Sequence, residues 1–372
     1  MHSTIAFETS IAELLRTGIR VWHRTPGFAQ RAALAAWRQH RAARVRTRSL
    51  ARGRHVPPFV IYSITDRCNL DCQGCYAKLL HTSDRSELTH EQAARVLDEA
   101  RDLGVSVILL AGGEPLIPRV LELTAGTPQI LFLLFTNGSL VDDAAVSALR
   151  KQKHVIPILS LEGAETITDG RRGEGTYQHV MAAMEKFQRA RLLFGTSITL
   201  TRKTFDQATD ERFLRGVIAK GCRIFFYMNY VPVAPDRDDL QLSLGQVGLL
   251  RSQLEKHRAT LPALFVSFPD EEVKLGGCLA AGRGFIHINA YGDVEPCPFS
   301  PYSNSNLKDM PLEQALDSPL FDRIVHSGVV LDESDGRCAL WKRKEWIARI
   351  SAATEFTRSC FALEDHARSI VP

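Results

Sequence analysis

The sequence lacks the long apolar runs and the leader pattern that would direct a chain into or across a membrane. No apolar stretch in its 372 residues reaches the roughly 18 to 20 residues needed to span a bilayer. The first residues, MHSTIAFETSIAELL, do not combine a basic start with an apolar core and a small-residue cleavage site. These absences predict a cytoplasmic protein, in which the eight cysteines are not expected to form disulfides.

Acidic residues are scarce in residues 1–55, which carry eleven arginines and only two glutamates. Ile11, Leu15, Ile19 and Trp22 recur at helical spacing and predict a helical arm. One interpretation is a solvated arm packed on the main domain. The other is a surface that contacts an acidic lipid membrane, a nucleic acid or an acidic partner.

Short, nearly continuous apolar runs alternate with amphipathic helical stretches between about Pro57 and Pro235. Thr89 and Gln92 form a candidate capping box for one of these helices, and Gly104 is its candidate C-cap. The alternation predicts an α/β fold with six parallel strands, arranged as an open or partial (β/α)6 TIM-like barrel. The apolar runs are FVIYSIT, VSVILLAGGEP, QILFLLFTNG, VIPILSLEG, LFGTSITLTRK and RIFFYMNYVP.

Composition divides the chain into four predicted parts. A basic helical arm (1–55) precedes the barrel core (56–235), and a linker with a helix (236–267) leads to a small α+β module (268–372). The last part contains FIHINAYGDVEPCPF, which predicts a β-hairpin with its turn at residues 291–293.

Three cysteines, Cys68, Cys72 and Cys75, are crowded into the loop after the first predicted strand. Three thiolates from one loop can hold three corners of a [4Fe–4S] cluster. The fourth iron is then left without a protein ligand and can bind a substrate or cofactor, whereas a structural zinc site is normally closed by four ligands.

The Cx3Cx2C motif and the motifs that follow it resemble those of the radical S-adenosylmethionine (radical SAM) superfamily. Tyr76 comes directly after the motif, AGGEP follows the second predicted strand, and TNG follows the third. SLEG ends the fourth strand and TDGRRGEGTYQHV follows it, as in the branch of the family with extra clusters. The resemblance covers roughly residues 57–340 and implies a 5′-deoxyadenosyl radical that abstracts hydrogen from a substrate.

The resemblance also implies which residues bind SAM and its cluster. Cys68, Cys72 and Cys75 would ligate the cluster, and SAM would contact the backbone or side chains of other motif residues. Arg172 would pair with the SAM carboxylate, and Arg171 is an equal candidate for that contact. The implied cofactor-binding residues are Tyr76, Gly112, Gly113, Glu114, Pro115, Asn137, Ser160, Glu162 and Arg172. Catalytic side chains and the substrate are not assigned.

A second pair of cysteines, Cys278 and Cys297, resembles the opening of the SPASM and twitch modules of radical SAM enzymes, with Cys338 as the candidate third ligand. The fourth ligand of such a cluster would be Cys360, another side chain or substrate. The chain lacks the seven-cysteine set of a full SPASM domain, so at most one auxiliary [4Fe–4S] cluster is expected. Thiolate spacing alone leaves zinc open as the metal here. Cys222 is expected to be a buried, inert thiol, and His81 and His287 are expected to be structural or surface residues.

The sequence therefore predicts a radical SAM enzyme acting on an unidentified peptide or small-molecule substrate. Such an enzyme needs an electron donor such as flavodoxin or ferredoxin. The alternative is a zinc-stabilised, non-catalytic binding protein that uses its basic N-terminal arm to bind nucleic acid. The alternative leaves unexplained why GGEP and SLEG stand at the ends of predicted parallel strands.

Overall fold

The computed structural model describes residues 28–81, 83–352 and 357–358. Within them, one nine-stranded sheet has the order β7-β6-β5-β4-β3-β2-β1-β8-β9. All neighbouring strands are parallel except β8 and β9, which form an antiparallel hairpin. The strands are β1 (Phe59–Thr65), β2 (Val107–Gly112), β3 (Leu131–Thr136), β4 (Val155–Ser160), β5 (Gly195–Leu200), β6 (Ile224–Asn229), β7 (Leu264–Phe268), β8 (Phe285–Ile288) and β9 (Val294–Glu295). A separate two-stranded sheet pairs β10 (Tyr302–Ser303) with β11 (Thr357–Arg358).

Helices connect the parallel strands and continue into the C-terminal part. Up to the last parallel crossover they are α1 (Phe28–Ala51), α2 (Tyr76–Leu80), α3 (His90–Leu103), α4 (Val120–Gly126), α5 (Asp143–Lys151), α6 (Glu165–Arg172), α7 (Thr176–Arg189), α8 (Phe205–Ala208), α9 (Glu211–Ala219) and α10 (Leu244–Thr260), with a 3-10 turn at Asp238–Leu240. The remaining helices are α11 (Asp270–Val273), α12 (Leu312–Ala315), α13 (Pro319–His326), α14 (Ala339–Lys342) and α15 (Lys344–Ala352). None of the described helices is long and apolar enough to cross a membrane.

The sheet has an outer face packed against helices and an inner face that encloses a cavity, and apolar side chains on both faces make the strands almost continuously apolar. One face packs against the helices and contributes Val60, Leu110 and Phe132 to the main core. The other face, with Ile61 and Leu133, lines a large central cavity. The α/β class and the parallel order of β1 to β6 agree with the sequence prediction.

The capping prediction for α3 is confirmed. The Thr89 hydroxyl accepts a hydrogen bond from the Gln92 N–H, and the Gln92 side chain accepts one from the Thr89 N–H. Gly104 ends the helix in the left-handed conformation, at φ 91°. A capping box of this kind fixes where the chain turns from the cysteine loop back towards β2.

The sheet is larger than the six strands predicted. β7 ends a segment that we expected to be a linker and helix, and it pairs in parallel with β6. The predicted hairpin is present, with Gly292 at φ 93° in its turn, but β8 also pairs in parallel with β1. The hairpin therefore continues the barrel sheet. Of the predicted arm, residues 1–27 lie outside the described residues, and α1 lies within them.

Candidate functional site

The cysteine loop leaves β1 at its carboxyl end, where the polar strand ends of a parallel barrel meet. Cys68 and Cys72 lie in the loop, and Cys75 stands immediately before α2. All three are partly exposed and line the central cavity. The Gln73 N–H donates to the Arg171 carbonyl (2.8 Å), which ties the loop to the end of α6.

Two adjacent glycines place the end of β2 directly against the start of this loop. A Cβ added at Gly112 would lie 2.3 Å from the Thr65 carbonyl oxygen, and one at Gly113 would lie 2.1 Å from that of Arg67. These distances are well inside van der Waals contact, so any side chain here would separate the two segments. The structure therefore shows that β2 approaches the cysteine loop closely at these glycines, and their implied contact with SAM stays a prediction.

Glu114 braces the adjoining strand ends. Its carboxylate accepts from the Leu116 N–H (3.0 Å), the Thr136 hydroxyl (2.8 Å) and the Asn137 N–H (2.8 Å). Burial raises the pKa of Glu114, and these hydrogen bonds act in the opposite direction by favouring its charged form. The Asn137 amide in turn donates to Asn69 (2.9 Å) in the cysteine loop.

Glu162, from the end of β4, is fully buried and pairs with two arginines from α6. Its Oε1 accepts from Arg171 Nη1 (2.5 Å) and Arg172 Nε (2.7 Å), and its Oε2 accepts from the Thr199 N–H (2.9 Å). The two guanidinium groups line the cavity, whereas Glu162 does not. The arrangement holds two positive charges at the cavity wall.

Arg171 and Arg172 oppose the effect of burial on the pKa of one thiol of the cysteine loop, that of Cys72. Burial raises the pKa of the Cys68 and Cys72 thiols, while Arg172 and Arg171 lower the pKa of Cys72. A positive charge favours the thiolate, which is the form that ligates iron. The same charges suit a bound carboxylate or an anionic cluster.

The cavity has a volume of about 1060 Å³ and reaches both groups of cysteines. Strand side chains such as Leu109, Phe135 and Phe226 give it an apolar wall, while the polar strand ends and the thiols lie along its rim. The donor set of three thiols from one loop, open to this space and flanked by two arginines, fits a [4Fe–4S] cluster with SAM.

The second cysteine group lines the same cavity, with Cys278 and Cys297 buried and Cys338 partly exposed. Cys278 follows α11, Cys297 follows β9, and Cys338 precedes α14; the thiols of Cys297 and Cys338 hydrogen-bond to each other. Cys360, the fourth predicted member, lies outside the described residues. Three converging thiols in a buried pocket fit a metal centre.

Two buried glutamates accompany this group, and the sequence analysis missed both. Glu272 lies in α11, and Glu333 lies in the loop that leads to Cys338. Burial, and then the neighbouring Glu272 carboxylate, raises the pKa of Glu333 to about 10. An isolated glutamate gives no sequence signal, because only the fold brings these two to the thiols.

The structure brings most of the predicted site residues to one cavity. The residues that line it are Cys68, Cys72, Cys75, Tyr76, Gly112, Gly113, Glu114, Asn137, Ser160, Arg172, Cys278, Cys297 and Cys338. Pro115 is buried behind the glycines, and Glu162 lies behind the arginines. Their roles as ligands stay predictions. Cys222 is fully buried and contacts Thr196 and Ile224, so the prediction of a buried thiol is confirmed.

Polar groups at the end of β6 were also missed. Asn229 and Tyr230 line the cavity, and the Asn229 Oδ1 and the Tyr230 hydroxyl are buried without a hydrogen-bond partner among the described residues. The Tyr230 ring lies against Gly74, where an added Cβ would be 2.8 Å from the hydroxyl oxygen. The run MNY, at the end of the sixth predicted strand, is the sequence feature that could have indicated polar groups at this cavity.

Comparison with known proteins agrees with this geometry. Residues 62–211 match the model of the radical SAM superfamily. The chain is 24% identical over 321 residues to the AdoMet-dependent heme synthase of Methanosarcina barkeri, covering 78% of this chain and 90% of that protein. It is 28% identical over 266 residues to the PqqA peptide cyclase of Granulibacter bethesdensis, covering 65% and 68%. SuiB of Streptococcus suis bound to S-adenosylmethionine superposes with a TM-score of 0.64 at 18% identity, covering 77% and 72%.

Proposed function

Because the protein is a radical SAM enzyme, with its family domain at residues 62–211, we propose that Cys68, Cys72 and Cys75 hold the [4Fe–4S] cluster that binds SAM. The observation that carries this assignment is the position of the three thiols, on one loop at the carboxyl end of β1 and facing the cavity. Held by these three thiolates and reduced, such a cluster would supply the electron for the reductive cleavage of SAM, the chemistry that generates a radical able to take hydrogen from a substrate.

The other motif residues have distinct parts in this proposal. Gly112 and Gly113 hold the end of β2 against the cysteine loop, and Glu114 fixes the third strand end beside it. Arg172 or Arg171 pairs with the SAM carboxylate, since both guanidinium groups line the cavity. Ser160 and Asn137 offer hydrogen bonds to the nucleoside from the same rim.

Substrate binds in the apolar part of the cavity, between the two cysteine groups. The wall formed by Leu109, Phe135 and Phe226 keeps water from a reactive carbon radical, which is a general requirement of such sites. A cavity of about 1060 Å³ accommodates a peptide side chain or a small organic molecule beside SAM. The relatives are named for both kinds of chemistry, a peptide cyclase and a heme synthase.

Cys278, Cys297 and Cys338 hold an auxiliary iron–sulfur cluster in this proposal. They line the same cavity, with Cys278 and Cys297 buried and Cys338 partly exposed, so a cluster there would exchange electrons with bound substrate. A flavodoxin or ferredoxin would supply electrons to the enzyme. Helix α1 has six arginines, no acidic residue and exposed Leu34 and Trp37, which supports contact with an acidic membrane surface or partner.

The central test is SAM cleavage by anaerobically reconstituted protein. The wild type is expected to be brown and to form 5′-deoxyadenosine after reduction, and Cys72→Ala should lose this activity. Cys222→Ala is the matched control, because that thiol lies in neither group. Colourless protein with bound zinc, or equal activity in Cys72→Ala, would contradict the proposal and favour a zinc-stabilised binding protein.

A further inference from the structure

The second cysteine group has three described thiols, and a [4Fe–4S] cluster has four irons to coordinate. Among the described residues, the backbone brings a carboxylate to one of these thiols. The Cys278 N–H donates to the Leu331 carbonyl (3.0 Å), and at Gly277 an added Cβ would lie 2.4 Å from that same oxygen. This close approach sets the segment with Glu333 directly beside Cys278.

The side chains converge on one point. The Cys278 Sγ and the carboxylates of Glu272 and Glu333 lie within 4.8 Å of one another, and all three residues are buried. Each carboxylate is anchored by the residue that follows a cysteine: the Leu279 N–H donates to Glu272 Oε1 (3.2 Å), and the Ala339 N–H donates to Glu333 Oε1 (3.0 Å). The two acids are therefore oriented by the same backbone that carries Cys278 and Cys338.

Glu333 differs from Glu272 in one respect. Its residue is only 1% exposed, and its second oxygen, Oε2, has no hydrogen-bond partner among the described residues unless one of the two neighbouring carboxyl groups, Glu272 or Glu333, is protonated. Two carboxylates buried side by side repel each other, so a cation is needed if both are to stay charged. The nearby cation is Arg283, which acts on Glu272 and whose own Nε and Nη2 have no partner among the described residues. A metal ion at the thiols would satisfy the Glu333 oxygen directly.

We propose that Glu333 is the fourth ligand of the auxiliary [4Fe–4S] cluster, completing a site formed by Cys278, Cys297 and Cys338. This assignment rests on the proposed function of that group as a cluster site. Oxygen is a harder ligand than thiolate and is not the usual partner of iron in such clusters. Glu333 lines the central cavity together with the three cysteines, so a substrate group entering the cavity could replace this oxygen ligand more readily than a thiolate.

The test uses the full chain with Cys68, Cys72 and Cys75 changed to Ala, so that only the auxiliary cluster remains. After anaerobic reconstitution this parent should hold about four irons per chain. Adding Glu333→Gln should reduce the content to about three and produce the paramagnetic resonance signal of an oxidised [3Fe–4S] cluster. Glu333→Cys should retain about four irons with an altered spectrum of the reduced cluster, which shows that the position itself reaches the metal.

Matched variants separate the possible fourth ligands. Glu345→Gln changes an exposed glutamate of α15 and should leave the iron content of the parent unchanged. Loss of one iron in Glu272→Gln or Cys360→Ala, with Glu333→Gln unchanged, would overturn the assignment. A parent variant with no iron would refute both the auxiliary cluster and the Glu333 ligand, while 5′-deoxyadenosine formation by the wild type would still support the radical SAM site.

Discussion

Replacing Glu162 with Gln removes one buried negative charge and leaves two arginines beside it. The carboxylate accepts from Arg171, Arg172 and the Thr199 N–H, and the side chains of the arginines are only 19% and 12% exposed. Glutamine has nearly the same shape, but it must turn its NH₂ group towards one of these donors. The change therefore creates a donor–donor contact in addition to the loss of charge.

Removing one partner of a buried ion pair typically costs about 3 to 5 kcal/mol, because the remaining charge is left uncompensated. An unfolding entropy of about 2.1 cal/mol/K per residue gives roughly 0.8 kcal/mol/K for this chain. Glu162→Gln should therefore lower the thermal unfolding midpoint of the cluster-free protein by about 4 to 6 °C. SAM affinity should fall as well, because the two guanidinium groups lose the anchor that holds them at the cavity wall.

Glu165→Gln is the matched control, since it lies three residues further along, is exposed and bonds only to Gln178 among the described residues. Differential scanning fluorimetry of the three proteins measures the midpoints, and calorimetric titration of reconstituted enzyme measures SAM binding. An unfolding midpoint within about 1 °C of wild type for Glu162→Gln would show that the buried pairing contributes little. A loss of SAM affinity with an unchanged midpoint would instead favour direct contact between Glu162 and SAM, as the sequence resemblance implies.

Four further substitutions test the site and the scaffold that carries it. Gly113→Ala forces a methyl group against the Arg67 carbonyl and should lower both the unfolding midpoint and the affinity for SAM. Gly248→Ala is the control, because Gly248 lies in the interior of α10 with open space around it, and this change should stabilise the protein by about 1 kcal/mol. Thr89→Ala removes the capping box of α3 and should cost about 1 kcal/mol in the free energy of unfolding. Burial lowers the pKa of His154, so the unfolded chain takes up a proton below about pH 6.5 that the folded protein resists. Stability should fall as pH drops below that value, and His154→Gln, measured by denaturation at several pH values, should flatten the decline.

The motifs of the radical SAM core could be predicted because each is local. Strand periodicity, the Cx3Cx2C spacing and the glycine pair are all contained in short segments, and strand order β1 to β6 follows the chain. The hydrogen-bond partners of Glu114 and Glu162 could not be predicted from the sequence. In the sequence, a glutamate that braces neighbouring strand ends looks the same as a glutamate that binds a ligand. The bonds that Glu114 and Glu162 accept become visible only in the structure.

The missed strands have a different cause. β7 follows a 17-residue helix in a segment that we predicted to hold a linker and a helix but no strand, and its five residues carry little periodic signal. β8 pairs with β1 across more than 200 residues of chain, and no local pattern indicates such a partner. Burial of the hairpin side chains His287 and Glu295 depends on that pairing, because the His287 imidazole bonds to Ser63 of β1 (2.8 Å) and to Glu295 (2.6 Å).

The pairing of β1 with β8 fixes where the two cysteine groups stand relative to each other. The first group begins three residues after β1 ends, and Cys297 follows the hairpin whose first strand is in register with β1. Between them, the Tyr76 ring packs on Phe299 with centroids 5.1 Å apart, and His81 bonds to the Pro298 carbonyl (2.7 Å). Burial raises the pKa of Tyr76, and the thiols Cys75 and Cys297, one from each group, add to that shift. The residue after the first group therefore packs against the loop of the second, so the central cavity is bordered by two cysteine groups that one continuous sheet holds in place.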